Sequence, residues 1–323
     1  MSNRPNTKEE VAARLRDAHQ RQARAAAFEL SALRRVLQYT PEDMTVKVEC
    51  GMTLAALQET LNAHGQWLPV DPPAPGTLSL ADLISTDANG PRRYGYGGIR
   101  EHLIGLQVVL ADGRHVSSGG NVVKNVAGFD LLKLFIGAHQ SLGIPVEATF
   151  KLRPCPEEEL FLTASAGSLA ELEQLTQSVL DSALTPVVLD WHRGVVTPDG
   201  EFHVVLGFAG TREEVAWQQA LAATLGFRAR TSLEYEEQFW AKQKRPSGRR
   251  SVLPSRLAAA VEELGRQPFV ARAGNGVLYA PGLTPARLAP GVEALAQRLK
   301  EAFDPARVLP ERPFSTLISS PVH

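Results

Sequence analysis

Hydrophobic and polar residues recur with two different periods along the first half of the chain. Residues 45–50 alternate apolar and polar side chains, which predicts a half-buried strand. Leu54, Leu57 and Leu61 recur at helical spacing, which predicts a helix with one apolar side. The same criteria predict strands over 36–39, 106–110 and 146–152, and helices over 7–27 and 78–85.

The order of the predicted elements changes after Pro154. Pro154, Pro156 and the acidic run 157–159 mark a domain boundary. Beyond it, strands are predicted over 160–164, 187–191, 203–208, 229–233, 269–271 and 276–279, and helices over 169–184, 211–225, 254–264 and 288–303. Helices interleaved with short strand pairs indicate ferredoxin-like α+β units. The sequence therefore predicts an α+β protein with two domains, 1–157 and 158–323.

Charge and cysteine content narrow the class of protein. The 323 residues include 34 basic and 35 acidic residues, which gives a net charge of −1 and favours neither nucleic acid nor an anionic membrane as a partner. Two cysteines, Cys50 and Cys155, make no disulfide framework, so we expect a reduced, cytoplasmic setting. No run approaches about 18 apolar residues, so we expect no membrane span, although partner subunits could hold the protein at a membrane.

Common catalytic and nucleotide motifs are absent from the sequence. It contains no G-x-x-x-x-G-K-[ST], no G-x-G-x-x-G that opens a helix after a strand, and no G-x-S-x-G. The histidines lack metal-ligand spacing, so we expect no metal site. His192 could act as a general base at a strand end, but a core or surface histidine is the simpler interpretation. The basic residues of 242–250 could bind a carboxylate, but a solvated loop is simpler.

Residues 119–154 carry the most informative pattern in the chain. This stretch contains Lys124-Asn125-Val126-Ala127-Gly128-Phe129-Asp130, then Gly137 and Gly143, and ends in Lys151-Leu152-Arg153-Pro154. Further blocks follow the same order as in one known family: 30–37, 41–46, 65–73, 89–93, 273–279 and 303–305. Together they resemble the FAD-binding core of the vanillyl-alcohol-oxidase (PCMH-type) flavoproteins, and within that family the GlcE-type subunits of glycolate oxidase. The resemblance covers nearly the whole chain.

This resemblance implies a PCMH-type, two-subdomain FAD-binding fold followed by a ferredoxin-like cap. Such proteins oxidise 2-hydroxy acids by hydride transfer to FAD, and they work with a homologous FAD-binding catalytic subunit and an iron–sulfur subunit. The sequence identifies no catalytic residue. The positions that could line the flavin are Pro72, Ser79, Thr86, Asn89, Gly90, Asn125, Gly128, Gly143 and Ile144. The alternative is that these residues only shape turns, whatever the ligand.

The sequence departs from the family pattern at the expected contacts of the FAD diphosphate. The strand and glycine-rich loop that follow the first helix in the family are missing, so the first subdomain is truncated. Ala81-Asp82 replaces a diglycine, Gln140 replaces a glycine, Pro145 removes a backbone donor, and Phe129 lacks a tyrosine hydroxyl. Two hypotheses follow. The chain is an FAD-dependent oxidoreductase subunit with fewer cofactor contacts, or it is a flavin-free structural subunit of the same complex.

Overall fold

The computed structural model describes residues 4–120, 132–195, 200–242, 247–283 and 290–311. Its helices are α1 Lys8–Gln20, α2 Leu54–Asn62, α3 Leu80–Thr86, α4 Arg93–Tyr96, α5 Leu132–Phe135, α6 Leu169–Leu180, α7 Arg212–Thr224, α8 Glu234–Ala241, α9 Leu257–Glu262 and α10 Pro290–Phe303. Its strands are β1 Val36–Thr40, β2 Thr45–Glu49, β3 Gln66–Trp67, β4 Leu103–Val109, β5 His115–Gly119, β6 Ile144–Lys151, β7 Arg153–Pro154, β8 Glu158–Ala166, β9 Val188–Arg193, β10 Phe202–Gly210, β11 Ala229–Arg230, β12 Ser247–Ser251, β13 Phe269–Arg272 and β14 Val277–Pro281.

The chain divides into two compact units that are not contiguous in sequence. The first unit comprises the described residues within Met1–Ala88, Gly98–Cys155 and Arg287–Phe314. The second comprises those within Asn89–Gly97 and Pro156–Ala286. The domain limits 1–157 and 158–323 stay a prediction. The contacts group residues 89–97 with the second unit, and the described residues after 287 with the first.

The first unit is built on a five-stranded antiparallel sheet in the order β1-β2-β6-β4-β5. One face of β2 and β6 is apolar and fully buried, and it joins the core with the apolar sides of α1, α2 and α3. The opposite face is polar. On that face the buried Glu147 carboxylate binds two ammonium groups, Lys8 Nζ at 2.5 Å and Lys47 Nζ at 2.7 Å. These contacts attach the start of α1 to the sheet.

The start of the chain differs in length from the predicted helix. Thr7 caps α1, because its hydroxyl oxygen accepts a hydrogen bond from the Glu10 N–H. The helix ends at Gln20 instead of near residue 27, and Gln22 has a positive φ of 50° that ends the helical course. Residues 21–35 contain no helix or strand. The truncation of the first subdomain relative to the family stays a prediction.

The second unit contains the predicted ferredoxin-like arrangement. Its elements follow the order β8-α6-β9-β10-α7-β11, and the strands pair in the order β11-β8-β10-β9. The antiparallel sheet continues through β13, β14 and β12 to seven strands. Alternate residues of β9 serve opposite faces: Leu189 and Trp191 join the core with α6, α7 and α9, whereas Val188 and Asp190 face the side of α8.

Helix α8 and strand β12 of the second unit were not predicted from the sequence. Helix α8 is short and rich in glutamate, so its two buried aromatic residues, Tyr235 and Phe239, did not stand out as a helical period. Strand β12 contains Arg249 and Arg250, and the prediction of a solvated loop for them was wrong. Its sequence lacks apolar alternation because it is an edge strand, paired only with β14 among the described residues.

A buried ionic cluster joins α8 to the sheet of the second unit. Arg272, which is 1% exposed, donates to Asp190 Oδ2 at 2.5 Å and to both carboxylate oxygens of Glu236. The Tyr235 hydroxyl also donates to Asp190 Oδ2, at 2.7 Å. His192 stacks on the rings of His203 and Tyr235, with centroid distances of 4.8 and 4.7 Å. This packing favours the interpretation of His192 as a core histidine.

We predict that Arg272→Ala lowers the free energy of unfolding by about 3 to 5 kcal/mol, because it leaves two buried carboxylates without their cation. Denaturant titration of the full chain measures the change. Arg250→Ala is the matched control: Arg250 binds Glu263, whose side chain is 64% exposed, and we expect a loss below about 1 kcal/mol. Equal losses in the two variants would contradict the role given to the buried cluster.

We also predict a pH-dependent contribution from Asp190. Burial raises the pKa of Asp190 from 3.8 to about 7, against the opposing effect of Arg272. The folded state therefore binds this proton more tightly than the unfolded state, so the stabilisation is present in acid and is lost as the pH rises from about 4 to about 7. The asparagine of Asp190→Asn does not titrate. Between about pH 5 and about pH 8, the unfolding free energy of the original protein should fall relative to that of Asp190→Asn. A constant difference between the two proteins over this range would contradict the prediction.

Candidate functional site

A small cavity lies in the first unit beside α3. Its volume is about 180 Å³. One wall is formed by α3, a second by the loop before β6, a third by the segment after α1, and a fourth by the chain after α10. The lining residues are Ala25, Ala26, Ala27, Phe28, Asp82, Ser85, Thr86, His139, Gln140, Ile144, Leu309 and Pro310.

The first turn of α3 has its backbone donors satisfied within the protein. Ser79 is the N-cap, and its hydroxyl oxygen accepts the Asp82 N–H at 3.0 Å. The N–H groups of Leu80 and Ala81 donate to the carbonyls of Met52 and Cys50, at 2.9 and 2.8 Å. The Leu83 N–H donates to the Ser79 carbonyl at 2.8 Å. The start of this helix therefore presents a carboxylate, and no unused backbone donor, to a ligand.

The two side chains that are predicted to replace family glycines meet at the rim of the cavity. Gln140 Nε2 donates to Asp82 Oδ1 at 3.2 Å. The Ser79 hydroxyl donates to the other carboxylate oxygen, Asp82 Oδ2, at 2.7 Å. Gln140 has a φ of 59°, a left-handed conformation that glycine adopts without strain. The backbone conformation typical of glycine is thus present at this position, and the added side chain reaches Asp82.

The loop that carries Gln140 is attached to the end of α3. The Gly137 N–H donates to the Ile84 carbonyl at 3.0 Å, and the His139 N–H donates to the Ser85 carbonyl at 2.7 Å. The loop enters β6 at Gly143, where an added Cβ atom would lie 2.4 Å from Val108 Cγ1. A larger residue at Gly143 therefore requires the sheet to move.

The chain after α10 forms the fourth wall and is held by an internal ion pair. Asp304 is 1% exposed, and its carboxylate accepts the N–H groups of Val308 and Leu309, both at 2.8 Å. Lys300 Nζ donates to Asp304 Oδ2 at 2.6 Å and to the Ser141 carbonyl at 2.9 Å. The Ala25 N–H donates to the Val308 carbonyl at 2.9 Å. One lysine–aspartate pair thus joins three walls of the cavity.

The structure brings only some of the predicted site residues to this cavity. Thr86 and Ile144 line it, Ser79 caps the helix at its rim, and Gly143 directly precedes Ile144. Pro72 is buried elsewhere in the first unit, and Asn89 and Gly90 belong to the second unit. Asn125 and Gly128 lie outside the described residues. The role of all these residues as cofactor contacts stays a prediction.

Sequence reasoning missed Ser85, which the structure places in the wall of the cavity. Ser85 is 2% exposed, and its hydroxyl has no hydrogen-bond partner among the described residues. In the sequence, Ser85 is a single serine within an apolar helix pattern, and nothing in that pattern indicates that it lines a cavity. The polar side chains of the cavity are those of Asp82, Ser85, Thr86, His139 and Gln140, and the rest of its lining is apolar. No cluster of three potential metal-ligating side chains occurs in the described ranges.

Comparison with known proteins shows the fold of the chain and a family model that matches part of it. Residues 15–119 match the family model FAD_binding_4, described as the FAD binding domain. Across two solved structures of alkyldihydroxyacetonephosphate synthase, the TM-scores are 0.71 and 0.73 at 16% and 14% identity, and each match covers 96% of this chain and 75% of the other. The chain therefore has the fold of these PCMH-type FAD-binding proteins, and residues 15–119 are similar to the FAD binding domain.

Named relatives point to particular proteins within that class. The chain is 31% identical over 159 residues to glycolate oxidase subunit GlcD of Bacillus subtilis, which is 49% of this chain and 34% of that protein. It is 32% identical over 130 residues to glycolate oxidase subunit GlcE of Escherichia coli, which is 40% of this chain and 37% of that protein. A D-2-hydroxyglutarate dehydrogenase of Xanthomonas citri is 38% identical over 136 residues. The chain spans about a third of the length of these relatives.

The matched domain and the relatives indicate FAD as the cofactor, so its fit to the described residues can be tested. A diphosphate is bound by cations or by backbone N–H groups that point at it. The cavity wall formed by α3 presents the Asp82 carboxylate instead, and the first-turn N–H groups are already bonded. Its volume of about 180 Å³ is also below the roughly 300 to 1,000 Å³ typical of pockets for drug-sized ligands. The α3 wall therefore does not supply the donors that a diphosphate needs.

No helix in the described part of the chain combines the length and the hydrophobicity of a membrane span.

We predict that Asp304→Ala lowers the free energy of unfolding by about 3 kcal/mol, because two buried N–H groups and Lys300 lose a charged partner. Denaturant titration measures the loss. Glu301→Ala is the control in the same helix: Glu301 is exposed and binds Gln297, so we expect a change within about 0.5 kcal/mol. Similar values for the two variants would show that the Asp304 contacts contribute little.

Proposed function

We propose that this chain is a subunit of an FAD-dependent oxidoreductase that oxidises 2-hydroxy acids of the glycolate type. The observation that supports the proposal most directly is the similarity of 40 to 49% of the chain to two different glycolate oxidase subunits. A D-lactate dehydrogenase and a D-2-hydroxyglutarate dehydrogenase also match over similar spans. By their names, all these relatives act on 2-hydroxy acids. FAD supplies the redox chemistry in such enzymes, and the protein supplies binding and orientation.

The partners in this proposal are a homologous FAD-binding catalytic subunit and an iron–sulfur subunit. These partners follow from the resemblance to glycolate oxidase, because two of the relatives are named as different subunits of that enzyme. Association through these subunits could hold a cytoplasmic protein at a membrane. The small-molecule substrate would be a 2-hydroxy acid.

A second candidate function is a flavin-free structural subunit of the same complex. The observation in its favour is the rim of the cavity, where Asp82 and Gln140 stand in place of glycines and contact each other. In this case the homologous subunit alone would carry out the oxidation, and this chain would contribute to assembly.

The proposed function predicts an active complex that requires this chain. Co-expression with the two partner subunits, and purification through a tag on this chain, should yield a complex that reduces an artificial dye when glycolate, D-lactate or D-2-hydroxyglutarate is added. The flavin released on denaturation is counted per chain by its visible absorbance. Omission of this chain is the control.

The two candidate functions give different outcomes. Dye reduction with one flavin for this chain and one for the catalytic subunit supports the first candidate. The same activity with flavin only in the catalytic subunit supports the second. Failure of the three proteins to purify together, or full activity without this chain, would contradict both.

A further inference from the structure

The rim of the cavity differs from a diphosphate site through two side chains that act together. Asp82 and Gln140 are 58 positions apart in sequence, and their side chains are 3.2 Å apart. The Ser79 hydroxyl binds the second oxygen of the same carboxylate. Two neutral donors therefore hold the carboxylate in one orientation, and neither of them neutralises its charge.

We propose that the Asp82–Gln140 pair limits the affinity of this chain for FAD, because it holds a negative charge and a bulky amide where the diphosphate would bind. The proposal rests on the proposed function only in taking FAD as the ligand. In this proposal Asp82 and Gln140 lower the affinity for FAD, and their replacement strengthens cofactor binding.

The electrostatic part of this proposal follows from the charge of the diphosphate. Asp82 is exposed, so its repulsion of an anion acts through a medium of high effective dielectric constant and is screened by salt. A repulsion of this kind is worth roughly tenfold in affinity. The amides of the first turn of α3 cannot compensate, because they already donate to protein oxygens.

The steric part follows from the conformation of the loop. Because Gln140 has a φ of 59°, Gln140→Gly removes the side chain at a position whose backbone favours glycine. The same change removes the amide that donates to Asp82 Oδ1 and leaves the Ser79 hydroxyl on the other oxygen. The two replacements should therefore act on the same space and give a non-additive result when combined.

The test measures FAD binding by the full chain, free of partner subunits and of 2-hydroxy acid. Flavin fluorescence is titrated for the original protein and for Asp82→Asn, Gln140→Gly and the double variant. We expect Asp82→Asn to lower the dissociation constant about tenfold, and the gain to shrink between about 0.05 and about 0.5 M salt. We expect Gln140→Gly to lower it several-fold, and the double variant to bind most tightly.

Two controls match these changes outside the cavity. Asp43→Asn removes the same charge from an exposed turn of the first unit. Gln22→Gly removes an exposed glutamine whose φ is also positive, 50°. Neither control should change the dissociation constant by more than about twofold. Thermal melts confirm that each variant is folded before the titration.

An unchanged or weakened affinity in both Asp82→Asn and Gln140→Gly overturns the proposal, and so does an equal gain in the controls. Absence of measurable FAD binding in every variant also overturns it, because relief of the repulsion should then have produced binding. None of these outcomes depends on dye reduction by the complex, so failure of this proposal is distinguishable from failure of the proposed function.

Discussion

The backbone ladder that β6 forms with β2 and β4 is the interaction on which the first unit depends. β6 lies in the middle of the sheet, and its apolar residues fill one buried face. Pro145 has no N–H to donate, and it falls where the register between β4 and β6 shifts, so the ladder accommodates it at an irregularity. Because β6 fixes the position of Gly143, it also fixes the loop before it, and that loop carries Gln140 to Asp82.

Charged side chains contribute to both units, but only where each charge has its partners. In the second unit, Arg272 joins two carboxylates and so attaches α8 to the sheet. In the first unit, the Lys300–Asp304 pair attaches the chain after α10 to the loop before β6. Removal of one member leaves the other buried without compensation, which costs more than the pair itself contributes. The contacts that hold this wall of the cavity therefore also stabilise the fold of the first unit.

The fold and the cofactor contacts respond differently to substitution. The fold depends on many buried apolar residues, so it is recognisable in solved structures at 16% identity or less. Affinity for a diphosphate depends on a few donors and on the absence of opposing charge. Asp82 and Gln140 lie outside the apolar core, so we infer that they alter ligand contacts without disturbing it. The class of protein is consequently better defined than the occupancy of its site, as expected when function lies in a few side chains on a common fold.

The sequence by itself determined the elements that local rules govern. The periodic helices and strands were predicted because the spacing of apolar residues acts over a few residues. Helix α8 and strand β12 were not predicted, because α8 is short and rich in glutamate and β12 is an edge strand without apolar alternation. The sequence also identified Asp82 and Gln140 as separate departures from the family pattern. Only the tertiary structure showed that they contact each other, since the β6 ladder and the loop attached to α3 bring together residues that no local rule relates.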